Sequence, residues 1–188
     1  TVTLTLNSTN YTGTVSDNST AVTVAASGLQ ALTDGDNYTL TTNVSDAAGN
    51  AATVNTGTSF NYDRTPPSIS GSVEITGAGI QNNFLNVPDV VSATVTFSEV
   101  VNKTGTPQLT LAVGTDNRTA TYASGTGNAP LVFTYTIQAG DNDTDGISIR
   151  ANALALNSGS TIMDLAENNA ILTHSAVSDN NSYMVDTE

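Results

Sequence analysis

Leu131-Val132-Phe133-Thr134-Tyr135-Thr136-Ile137 sets a large apolar side chain at every second position, with Val or Thr between. Successive side chains of a strand point to opposite faces, so this period of two places Leu131, Phe133, Tyr135 and Ile137 on one buried face. The same alternation runs outward in both directions. It recurs at Leu109, Leu111 and Val113, at Ala93, Val95 and Phe97, at Tyr38, Leu40, Thr42 and Val44, and at Val2, Leu4 and Leu6. Between these runs lie Asp34-Gly35, Gly49-Asn50, Gly125-Thr126-Gly127 and Asp145-Gly146, which supply the positive φ and local capping of tight turns. Short strands at such spacing predict an all-β chain of sandwich architecture. Two short helical turns are expected, at Gly28 to Leu32 and at Asp164 to Asn168.

The composition agrees with strands and narrows the function. Hydrophobic residues make up 38% of the 188 and aromatics 5%, with no Trp, so the cores are built from Val, Leu, Ile and Ala. Four Lys and Arg stand against 17 Asp and Glu, for a net charge of −13. Arg64, Lys103, Arg118 and Arg150 are scattered singly, whereas a phosphate backbone is held by clustered bases, so nucleic acid is excluded as a partner. An anionic membrane surface repels the chain, and no apolar run reaches the roughly 18 residues of a span, so no membrane insertion is expected. The absence of Cys removes disulfides and thiolate metal sites. His174 is the one His and no Gly-x-Ser-x-Gly elbow occurs, so the chain is read as non-enzymatic.

Asp63-Arg64-Thr65-Pro66-Pro67 marks the expected boundary. Paired prolines fix φ, donate no backbone hydrogen bond and hold Thr65 extended, so no strand ladder crosses them. Two domains follow, 1–63 and 64–188, joined end to end by a short, stiff Pro-containing linker. Two internal correspondences support a repeat. Tyr62-Asp63-Arg64-Thr65 is echoed by Val185-Asp186-Thr187-Glu188, and Asp46-Ala47-Ala48-Gly49-Asn50 by Asp164-Leu165-Ala166-Glu167-Asn168. The first segment is short for a complete sandwich. It either begins inside a domain or is completed by strands from a neighbour.

The acidic balance raises the question of divalent cations. Asp141-Asn142-Asp143-Thr144-Asp145-Gly146 spaces three carboxylates at alternate positions before a Gly, the pattern with which a tight loop wraps calcium. No bidentate Glu follows, so a polar hairpin loop with solvated charges stands beside the metal reading.

At Gly28-Leu29-Gln30-Ala31-Leu32-Thr33-Asp34-Gly35, Val44-Ser45-Asp46-Ala47-Ala48-Gly49-Asn50, Val95-Thr96-Phe97-Ser98-Glu99 and Ala139-Gly140-Asp141, the chain resembles the bacterial immunoglobulin-like repeats of giant calcium-dependent, RTX-type surface adhesins. Its second segment resembles the long repeats of cyanobacterial surface and motility proteins. The resemblance implies tandem immunoglobulin-like β-sandwich domains serving as an extracellular stalk on the bacterial cell surface. The implied partners are neighbouring repeats of the same polypeptide, the implied state a monomer, and the implied cofactor structural Ca2+. It further implies that Asp46 and Asn50, Asp164 and Asn168, the terminal acids Asp63 and Asp186, and Glu99 contribute ligands at domain junctions. From the residues alone, an Asx-capped turn without metal and an exposed strand-end Glu remain open. Glu167 stands where the family pattern has Gly, and Arg64 where a small polar residue is commoner. A calcium-dependent module that itself binds carbohydrate or peptide is the alternative function, with Tyr11, Tyr122 or Tyr183 as the aromatic platform for a sugar.

Overall fold

The computed structural model describes residues 1–13, 21–157 and 159–188. Strands dominate, the sheets are antiparallel apart from one strand pair, and the chain separates into two compact units, Thr1–Thr65 and Pro66–Glu188.

The first unit is one sheet. Strands β1 (Val2–Leu6), β2 (Thr9–Gly13), β3 (Asn37–Val44) and β4 (Asn55–Asn61) lie in the order β2-β1-β3-β4, all antiparallel. A short helix α1 (Ala26–Gln30) precedes β3, two residues before the expected helical turn. Gly28 lies so close to the Tyr11 hydroxyl that a Cβ there would collide with it. Register puts Val2, Leu4 and Leu6 on the same face as Thr42 and Val44. Of that apolar set only Leu6 is buried, joined by Leu32 after α1; Val44 is 40% exposed. The second expected helical turn, at Asp164, is a hydrogen-bonded turn with no helix.

The second unit has a closed core. Its strands are β5 (Glu74–Ala78), β6 (Phe84–Leu85), β7 (Val90–Thr104), β8 (Gln108–Val113), β9 (Asp116–Ser124), β10 (Asn128–Thr136), β11 (Asn142–Asp143), β12 (Leu154–Ala155), β13 (Thr161–Met163) and β14 (Met184–Asp186). One sheet runs β12-β8-β9-β10-β7-β13 with β5 on β7, and a smaller one runs β11-β14-β6, its β14–β6 pair being parallel. The period-two residues meet in a single cluster. Val91, Ala93, Val95 and Phe97 of β7 and Leu131 and Phe133 of β10 come from the large sheet, Leu85 and Val185 from the small one, all at most 2% exposed. Two sheets sharing one apolar core are sandwich-like, and burial of each such side chain contributes about 1.5–3 kcal/mol. Among the described residues no helix is long and apolar enough to cross a membrane.

Candidate metal centres

The two Asp-x-Ala-x-Asn segments fold into the same turn, bond for bond. In the first, Asp46 Oδ1 accepts from the Ala48 and Asn50 amides, each at 2.9 Å, and Oδ2 from the Asn50 side-chain amide at 2.9 Å. In the second, Asp164 Oδ1 accepts from the Ala166 and Asn168 amides and Oδ2 from the Asn168 side-chain amide, all at 2.8 Å. The Asp46 amide donates to Asn50 O and the Asp164 amide to Asn168 O. Flanking bridges match as well: Ser45 with Ala51 and Met163 with Asn169. Short acidic side chains favour this arrangement because they accept from backbone N–H groups two and four residues on. Gly49 and Glu167 both hold the left-handed region, at φ 87° and 67°. Glycine suits that conformation, and Glu167 occupies it at a conformational cost of roughly 1–2 kcal/mol.

Their surroundings differ. Asp46 is exposed, and its carboxyl is held below its ordinary value by the hydrogen bonds from the Asn50 side chain and backbone. Asp164 is only 3% exposed, and carboxylate oxygens of Asp164 and Glu99 lie within 4.8 Å of one another. Glu99 falls on β7 in the alternation phase of Val95, Phe97 and Val101 and is half-buried. That phase was legible in the sequence and argues against a plain exposed strand end. Two carboxylates this close repel each other, so the corner's chemistry fits a bound cation.

The terminal acids also share a geometry. Asp63 Oδ1 accepts from the Thr65 amide at 3.0 Å, and Asp186 Oδ1 from the Glu188 amide at 3.1 Å. Asp34, which the sequence offered with Asp36 as a residue that could join the junction acids by flanking Gly35, accepts from the Arg64 amide at 2.7 Å and from the Thr65 hydroxyl. The Thr65 and Arg64 bonds hold its carboxyl below the ordinary value.

The three acids of the Asp141 loop do not converge. Asp141, read from the sequence as a ligand, turns inward and is 1% exposed. Its Oδ1 pairs with Arg118 Nε at 2.6 Å, and its Oδ2 accepts from the Tyr135 hydroxyl at 2.7 Å and the Gln138 amide at 2.9 Å. Burial raises its pKa, but the bonds from Gln138, Tyr135 and Arg118 together outweigh burial and leave the carboxyl below its ordinary value. Burial, reinforced by the bond to Asp141, pushes Tyr135 up to about 12. A spacing rule cannot foresee this, because Arg118 comes from another hairpin. Asp143 is buried: its Oδ1 closes its own loop by accepting from the Gly146 amide at 2.7 Å, and its Oδ2 accepts from the Gly114 amide, between β8 and β9, at 2.7 Å. Asp145 stays exposed, its carboxyl raised by the bond to Asp143 and by the charge of Asp179. Asp179 is thus a member of this acidic corner that loop spacing did not reveal. A shallow groove lined by Gly114, Thr115, Asn142, Asp143, Thr144 and Asp145 opens beside it.

The three aromatic candidates for a sugar platform pack against their own unit. The Tyr122 ring has Lys103 Nζ 4.2 Å from its centroid and Phe133 edge-on at 6.1 Å, and its hydroxyl accepts from the Thr126 amide. Tyr183 packs on the core beside Gly77, and Tyr11 lies under Gly28. His174 is 8% exposed; its Nε2 accepts from the Ala153 amide at 2.9 Å and its Nδ1 is 2.8 Å from Ser175 O, which fixes the proton on Nδ1. No protein-family model, no curated protein and no solved structure matches this chain.

Proposed function

We propose that the chain is an extender module of a bacterial surface adhesin, made of immunoglobulin-like sandwich units and stiffened by calcium. The observation that carries this reading is the repeated turn, because Asp46–Asn50 and Asp164–Asn168 present an aspartate in one hydrogen-bonded frame in both units. Asp164 and Glu99 hold two carboxylates at one corner, and Asp143 and Asp145 hold two more beside the charge of Asp179. Asp63 and Asp186, the acids that close each unit, complete the set assigned to calcium. Asp141 is left out, since the Arg118 guanidinium 2.6 Å away already neutralises its buried charge.

Bound calcium supplies positive charge and oxygen coordination that relieve the repulsion among these acids. The backbone donors of each turn hold the Asp oxygens in place beforehand, so little side-chain entropy is lost on binding. Calcium at a hundredfold excess over its Kd stabilises the folded chain by about 2.7 kcal/mol per site. The expected partners are neighbouring units of the same polypeptide outside the cell. The lectin-like alternative is disfavoured by the inward packing of Tyr11, Tyr122 and Tyr183.

Calorimetry and limited trypsin digestion test the reading together. Arg64 is exposed at the boundary between the units and gives a defined cleavage site. Calcium is expected to raise the melting temperature and slow cleavage after Arg64. Equal melting and cleavage in millimolar calcium and in chelator would defeat the proposal.

A further inference from the structure

The equivalence of the two turns extends one residue beyond them, and there the units part company. Ala52 donates to Val44 O at 2.8 Å as Ala170 donates to Ile162 O at 2.9 Å. In the second unit the next residue, Ile171, donates to Pro67 O at 2.8 Å and pairs in parallel with Ser68. The segment so captured is extended: Ile69 pairs with Phe97, the Ser98 amide donates to Ser68 O, and the Ser70 amide donates to Thr96 O. In the first unit the corresponding residue is Thr53, and among the described residues its N–H has no hydrogen bond.

A notch lies at that place, lined by Val2, Thr42, Asn43, Val44, Ala52, Thr53 and Asn55. Two observations mark it as open among the described residues. Asn43 Oδ1 is buried without a hydrogen-bond partner among the described residues, a state that costs about 1–3 kcal/mol and is rare in folded proteins. Val44 and the neighbouring Val54 are 40% and 52% exposed. Donor N–H, buried acceptor and apolar rim together match one class of ligand: an extended peptide, whose backbone meets the first two and whose side chains cover the third.

We propose that this notch binds an extended strand running parallel to Ala52–Val54, of the Pro-Ser-Ile type that the chain itself places against Ile171. The strand's carbonyl accepts from Thr53 N–H, as Pro67 O accepts from Ile171. A donor on the strand satisfies Asn43 Oδ1, and an apolar side chain covers Val44. Nothing in this uses the acidic corners, so the proposal stands or falls apart from the calcium reading.

The probe is a synthetic peptide with the sequence of residues 65–71, Thr-Pro-Pro-Ser-Ile-Ser-Gly, titrated into the 15N-labelled full chain in calcium and in chelator. The expected result is saturable shifts at Thr53, Val54 and the Asn43 side-chain amide, equal in both buffers. Exchange of the Thr53 amide should slow on the order of tenfold. Thr53→Pro, which removes the donor, and Val44→Lys, at an exposed position of the rim, should each abolish the shifts. The Ala48 and Asn50 amides report whether the variants keep the Asp46 turn, so a variant that misfolds is recognised and the other decides. No shift at millimolar peptide, equal shifts with a scrambled peptide, or undiminished binding by a folded variant would overturn the proposal. Shifts of the same residues that grow with protein concentration alone would overturn it too, by assigning the notch to a second copy.

Discussion

The two units carry one turn on two unequal bodies. Pro66–Glu188 closes two sheets on a core in which Phe97, Leu109, Leu131 and Phe133 are at most 2% exposed. Thr1–Thr65 has a single sheet, and among its described residues only Leu6 and Leu32 are buried hydrophobics. Both turns nevertheless form the same three bonds to the Asp carboxylate. The difference teaches that the turn is specified locally, by Asp and Asn with N–H groups at the right spacing, whereas stability depends on what each sheet has to cover it.

The largest expected effect separates the bodies directly. Phe133→Ala removes a buried ring from the second core and should cost about 3–5 kcal/mol, while Leu4→Ala, at a half-exposed site of the first sheet, should cost well under half of that. Calorimetry should then show two transitions in the wild type, the lower one from the first unit. One cooperative transition, lowered equally by both changes, would break the comparison.

Calcium comes next. The second unit sets Glu99 beside Asp164, and the stretch of β7 that carries Glu99 has no counterpart among the described residues of the first. The calcium-dependent rise, about 2.7 kcal/mol per site at a hundredfold excess over Kd, should therefore fall mainly on the upper transition. Glu99→Gln and Asp164→Asn should each remove the share of that corner in calorimetric titrations. A rise confined to the lower transition would reverse the assignment.

Smaller effects of opposite sign are expected at the left-handed position of the turn. Glu167→Gly relieves φ 67° and should stabilise the second unit by about 1 kcal/mol. Gly49→Ala forces a Cβ onto φ 87° and should destabilise the first by a similar amount, about 1 kcal/mol. Urea midpoints measured on each unit's own transition would read both, and equal signs would show that the turns are not equivalent.

The smallest effect is in the acid limb. Asp141 is held below its ordinary value in the folded state, so its contribution is complete above the ordinary carboxylate pKa and is lost as pH falls through the lower folded value. Tyr135→Phe removes one of the donors that depress it. The acid-dependent loss in the upper transition should then be smaller and end at a higher pH, with the lower transition unmoved. An unchanged acid profile would show that Arg118 and Gln138 suffice.

The alternation of Leu131 to Ile137 determined β10, and similar runs determined β1, β3, β7 and β8, because alternation of side chains between two faces is local. Burial of a face, deep at Leu131 and Phe133 of β10 and partial in β1 and β3, depends instead on what covers the sheet. The Asp-x-Ala-x-Asn echo likewise determined a shared turn, since all its bonds lie within five residues. Tertiary structure alone decided which acids stand together. Asp141 was drawn away by Arg118 from β9 and Tyr135 from β10, Asp145 was brought under the charge of Asp179, and Glu99 was set beside Asp164. Apart from Tyr135, six residues from Asp141, those partners are distant along the chain, and a carboxylate's role depends on the charges and donors that packing brings to it, which spacing along one strand does not encode.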